Sequence, residues 1–141
     1  MTDEEQIREM QAIWAERRSD LDIEGLSDMF CEDGRFINPR GGEFVGRAAI
    51  RTYFTERYSA RTDWYVTHVF GPVIVRVNGD TAESTADYLA CERKGAEGAW
   101  KLGASGRMHA RLVRRAGGWL YAEYRIVNPP TPLPKLYGAS A

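Results

Sequence analysis

The hydrophobic period of this chain changes once, after Arg61. Before that point apolar residues recur three and four positions apart; beyond it, β-branched and aromatic residues fill long segments punctuated by glycine. A chain patterned this way must pack helices made early against a sheet made late, which is the α+β class. Thr2 or Asp3 caps a first helix with Glu4 and Glu5 in its first turn, favourable to the dipole, and Ile7, Met10, Ile13 and Trp14 mark its buried stripe to about Arg18. "SDLD" breaks it, and Ile23, Leu26, Met29 and Phe30 predict a short second helix ending near "CEDG". "GRFINP" and "EFVG" read as short strands around the turn "RGG", and Ile50, Tyr53, Phe54 and Tyr58 as a third helix starting at Arg47.

Four strand segments follow, at roughly 64–77, 80–93, 99–115 and 118–128, separated by "NGD", "KGAEG" and "AGG". Asn78-Gly79 is the sharpest signal among them, because both residues accept the positive φ of a two-residue hairpin turn. Residues 1–128 read as a single domain, and 129–141, "PPTPLPKLYGASA", as an extended Pro-rich tail with too few N–H donors to extend a sheet. Helices covering one face of a strongly curved antiparallel or mixed sheet form a cone, with Trp14, Phe30, Ile50 and Phe54 in its core. The open end of such a cone is a place for a small-molecule site.

Nineteen Lys and Arg against twenty Asp and Glu leave no general field toward nucleic acid or membrane. The cluster Arg107, Arg111, Arg114, Arg115 lacks interleaved surface aromatics, so a solvated strand face or a dimer contact is preferred to nucleic acid. Cys31 and Cys91 stand far apart with no histidine at metal-ligand spacing, which points to buried thiols and to no metal. "RGGEFVG" lacks the lysine and spacing of a phosphate loop. No apolar run nears the roughly 20 residues of a membrane span, so a cytoplasmic soluble protein without cofactor is expected.

Four stretches, "LSDMFCEDGRFINP", "GEFVGRAAIRTYF", "THVFGPVIVRVNGDTAES" and "GRMHARLVRRAGGWLYAEYRIV", together resemble the SnoaL-like branch of the nuclear-transport-factor-2-like (NTF2-like) superfamily. The resemblance covers most of residues 7 to 128 and implies the NTF2-like cone, three N-terminal helices on a curved sheet. It is less specific for activity, since that fold carries polyketide cyclases, scytalone dehydratase, a lindane dehydrochlorinase and limonene epoxide hydrolase beside non-catalytic proteins. Several of those lyases use a histidine near the start of the long third strand, paired with an aspartate where the first helix gives way to the second. His68 falls on the histidine position; the aspartate position falls on Ser19, with Asp20 next, so a one-residue slip of the helix end would bring Asp20 to His68. His109, in "Met108-His109-Ala110", is similar to a second histidine of scytalone dehydratase-like members. Trp14 stands where a first-helix tyrosine is common.

From the residues themselves, His68 among Trp64, Tyr65 and Phe70 is either a proton-transfer group or a packed ring bonded to a carbonyl. Strict alternation puts His109 on the face of Arg107 and Arg111, opposite Met108 and Ala110, unless a bulge re-aims it into the pocket. Asp22 reads as a helix cap, Asp20 as a cap or as the acid that orients His68. Tyr53, Tyr88, Tyr124 and Asn128 are candidate donors to a developing oxyanion, and Trp14, Phe54, Trp64 and Met108 candidate pocket walls. The expectation is a small cofactor-independent lyase, isomerase or hydrolase acting on an apolar cyclic or polyketide-like molecule, with His68 as base and Asp20 as its partner. Its alternatives are a non-catalytic small-molecule-binding domain and a dimeric assembly module that uses the exposed sheet face. A homodimer is expected in each case.

Overall fold

The computed structural model describes residues 1–60 and 63–128. Three helices, α1 (Asp3–Asp20), α2 (Ile23–Asp28) and α3 (Arg47–Ser59), accompany seven strands: β1 (Phe30–Asn38), β2 (Gly42–Val45), β3 (Trp64–Phe70), β4 (Ile74–Asn78), β5 (Thr81–Lys94), β6 (Lys101–Arg115) and β7 (Gly118–Val127). They form one mixed sheet in the order β2-β1-β7-β6-β5-β3, with β4 also on the β5 edge. Every pairing is antiparallel except that of β1 with β7. This is the expected α+β arrangement, and the expected tail over 129–141 lies outside the described residues.

α1 starts where the sequence asks it to. Thr2 and Glu5 form a reciprocal capping box, the threonine hydroxyl accepting from the Glu5 N–H at 3.1 Å and the glutamate from the Thr2 N–H at 2.8 Å. Its inward stripe is Ile7, Gln11, Trp14 and Arg18. Trp14 stacks on Tyr124 at 4.1 Å between ring centroids and meets Phe30, Phe54 and Tyr121 edge-on. Trp14, Phe30, Ile50 and Phe54 are all buried, Phe30 from the start of β1 and the other three from helices. Among the described residues no helix is long and apolar enough to cross a membrane. Both cysteines are free thiols, Cys31 buried and Cys91 partly so.

Three boundaries differ from the sequence reading, each for a physical reason. α1 continues through Asp20 and ends at Leu21, which takes the left-handed conformation (φ 58°) that stops the helix. α2 stops at Asp28 because the Met29 carbonyl accepts from the Tyr121 N–H at 2.8 Å, which recruits Phe30 into the parallel ladder with β7. The run 64–77 is two strands, since Pro72 cannot donate to the ladder. Phe70 faces Tyr88 whereas Ile74 faces Thr85, so three residues on this edge oppose two on β5. That extra residue reverses parity: even-numbered side chains point under the helices in β3, odd-numbered ones in β4, where Val75 and Val77 pack on the core. The Asn78-Gly79 hairpin forms as expected, with Gly79 at φ 61°.

Candidate active site

The parity of β3 sends Trp64, Val66, His68 and Phe70 beneath the helices. There they meet Tyr88, Ala90 and Glu92 of β5, Ala104 of β6, and Tyr124, Ile126 and Asn128 at the end of β7. Trp14 and Arg18 of α1, Arg57 of α3, and Asn38 and Arg40 after β1 complete the lining of one cavity. It holds about 680 Å³ of atom-free space, part of it open to solvent, and the centre of a water-sized sphere can reach about 70 Å³ of that. One water needs roughly 10–15 Å³ on the same measure, so the site has room for a small, slender molecule.

His68 sits opposite Ala90, whose methyl leaves the imidazole space. Its ring lies 6.5 Å from that of Phe70 and 6.4 Å from that of Tyr88. Its Nε2 is 3.4 Å from Nη2 of Arg18. A guanidinium only donates, so Nε2 accepts and the ring proton is on Nδ1. Arg18 is 6% exposed, and its guanidinium carbon lies 5.0 Å from the Phe54 ring centroid and 5.9 Å from that of Trp14. No carboxylate among the described residues lies within ion-pairing distance of it, and its Nε has no hydrogen-bond partner.

Two tyrosines supply hydroxyls. The Tyr88 hydroxyl is 2.7 Å from the side-chain amide of Asn128, whose nitrogen, when turned toward β6, donates to the Ser105 carbonyl at 2.7 Å. Burial raises the Tyr88 pKa, against the opposing effects of Asn128 and the Arg18 charge. Tyr124 is fully buried and accepts from Gln11 Nε2 at 3.1 Å; burial raises its pKa well above the ordinary phenol value, with Gln11 and Arg18 opposing. Both groups are therefore neutral hydroxyls at physiological pH, suited to donating a hydrogen bond.

Of the residues singled out from sequence, His68, Trp14, Trp64, Tyr88, Tyr124 and Asn128 line this one cavity. The expected His68–Asp20 pair does not form: Asp20 is exposed and no hydrogen bond or ion pair joins it to His68. The helix explains this, because at about 100° per residue Ser19 and Asp20 turn roughly 100° and 200° away from the stripe that buries Arg18. Tyr53 stacks on Phe44 at 4.3 Å, outside the cavity. Phe54 and Met108 are core residues with no exposed surface rather than cavity walls. His109 is exposed on the outer face opposite Thr85, and neither bulge of β6 re-aims it.

Arg18, Arg40, Arg57 and Glu92 also line the cavity without having been singled out. The signal for Arg18 was available: positions 7, 11, 14 and 18 make one continuous stripe. Among the described residues no group of three or more His, Cys, Asp or Glu is placed to hold a metal ion.

The family described as SnoaL-like domain matches residues 1–125. No curated protein matches the chain. Similar solved structures include an NTF2-like protein with a cystatin-like fold from Novosphingobium aromaticivorans, 25% identical at a TM-score of 0.77, with 98% of this chain and 84% of that one covered. A protein of unknown function from Mycobacterium tuberculosis is 25% identical at a TM-score of 0.78, covering 96% and 75%. A third, from Catenulispora acidiphila in complex with S-DNPA, is 22% identical at a TM-score of 0.73, covering 85% and 90%.

Proposed function

This chain belongs to the SnoaL-like domain family and has the NTF2-like fold, and we propose that its cavity is the active site of a small cofactor-independent enzyme of lyase, isomerase or hydrolase type. The substrate is a small cyclic, largely apolar molecule. One observation carries the reading: His68 stands on the cavity wall with Arg18, Tyr88 and Asn128 all lining the same space. A carbonyl that enters between Arg18 and His68 places its oxygen on the guanidinium and its adjacent C–H toward Nε2. His68 then takes that proton, and the charge that develops on oxygen is met by fixed donors, an effect worth several kcal/mol. The Catenulispora protein of the same fold was solved in complex with S-DNPA, which supports the reading that this cavity holds a small molecule.

A second reading, a ligand-binding domain without chemistry, is favoured by one feature. Where a carboxylate would stabilise the protonated ring, His68 has the cationic Arg18 within 3.4 Å of Nε2. Exchange of protons adjacent to the carbonyl in a panel of cyclic ketones in heavy water separates the two. The wild type is expected to catalyse exchange of at least one member, and His68→Asn to lose about 10²–10⁴-fold of that rate with its thermal midpoint nearly unchanged. Ligand binding by both proteins with exchange by neither would establish the binding domain instead.

The outer sheet face also supports self-association. Tyr65, Val69, Leu89, Trp100 and Leu102 are exposed there, and Arg93 lies over both Tyr65 and Trp100, at 5.1 and 4.9 Å from the ring centroids. We propose that two copies meet on this face.

A further inference from the structure

The proposed site contains a charge that no carboxylate among the described residues answers. An arginine remains protonated at any accessible pH and carries five N–H donors. Arg18, only 6% exposed, has among the described residues one polar contact, the 3.4 Å approach to His68, and two aromatic faces. Ring faces attract a cation but accept no directed hydrogen bond at its edge, and Nε has no acceptor among the described residues. Burying an uncompensated cation is costly, so a position that retains one needs a compensating partner. The surroundings do not supply it: Arg57, whose Nε is likewise buried without an acceptor, and Arg40 add positive charge to the lining against the single carboxylate of Glu92. None of the three arginines makes an ion pair among the described residues, in a chain whose total formal charge is −1.

We infer that the ligand is an anion, a planar ring bearing a carboxylate or phenolate, whose charged oxygen pairs with Arg18. This rests on the reading of the cavity as a ligand site and specifies what enters it. The planar guanidinium fork suits two carboxylate oxygens, and the aromatic side chains of Phe70 and Trp64 in the same lining suit a ring in the remainder of the ligand. Pairing has a second effect. The Nη2 donor that faces His68 Nε2 turns to the ligand's oxygen, which releases the imidazole lone pair.

The test titrates the full-length protein with benzoate and with benzamide, its uncharged isostere, while the side-chain ¹⁵N resonances of His68 are followed. Benzoate is expected to bind about 10- to 100-fold more tightly than benzamide and to move the Nε2 resonance as its donor leaves. In Arg18→Met that preference disappears, with benzoate losing more affinity than benzamide, and the ligand-free variant melts no lower than the wild type, since it no longer buries a lone charge. Arg18→Gln, which keeps a polar stem, must lose the preference too, so the test survives if the methionine variant does not fold. Equal binding of both probes to the wild type overturns the anionic ligand but leaves the cavity as a site. Binding of neither overturns both.

Discussion

At position 106 the absence of a side chain is what allows the Tyr88–Asn128 pair. Gly106 faces Tyr88 across β5 and β6, and a methyl there would overlap the Asn128 side-chain oxygen and the Val127 carbonyl oxygen. Gly106→Ala is therefore expected to push Asn128 off Tyr88 and to cost about 1–3 kcal/mol, read as a lower urea midpoint at an unchanged slope. Gly71→Ala, whose methyl would meet nothing closer than the Asp87 carbonyl at 3.6 Å, is the control and should change stability by less than about 0.5 kcal/mol. A shared loss in both variants would mean that the Asn128 contact is not what sets the effect. Individual residues were legible to the extent that one periodicity governed them. Alternation alone placed His109 outside, while the histidine–acid pair failed because two more helical residues after Arg18 turn Asp20 away from the buried stripe, and "SDLD" itself contains no proline or glycine to mark the helix end.

Between elements, one polar clamp ties the start of α1 to the sheet. The Asp3 carboxylate accepts from both Arg114 nitrogens at 2.9 and 2.8 Å and from the Trp119 indole at 3.0 Å, and Arg114 also donates to Asp80 at 3.1 Å in the β4–β5 turn. The bond from Arg114, and after it that from Trp119, lowers the Asp3 pKa. A carboxyl lowered in the folded state contributes stability that is complete above its unfolded value, about 3.9, and is lost as pH falls through its folded value. Asp3→Asn should thus melt below the wild type at pH 7, with the gap closing as the pH is taken below that range. A gap independent of pH would assign the loss to helix capping geometry instead. The clamp itself was not legible, since it joins residues more than a hundred positions apart. Strand existence was legible from composition, but the Gly71-Pro72 interruption carries information that the apolar run hides: it adds one residue to one edge, and that single residue decides that His68, rather than Val69, faces the helices.

For the molecule as a whole, the proposed association through the outer face predicts a species of twice the 15.9 kDa chain mass in sedimentation at micromolar concentration. Leu102→Glu, placing a charge on the most exposed large apolar residue of that patch, should return it to a monomer with its fold intact. A wild type that sediments only as the single chain would end that proposal. The parallel pairing of β1 with β7 has a separate consequence, in the order in which the chain is made. Residues emerging first from a ribosome would include all three helices and β1, yet β1 has only the four-residue β2 as a partner until β7, the last strand, arrives. Phe30 and Phe36, both fully buried at the end, lie against ring neighbours from β7 and so wait in contact with water for some eighty residues of synthesis. The nascent domain is thus most exposed to misassembly just before β7 emerges, and that strand closes the core, the cavity and the sheet in a single step.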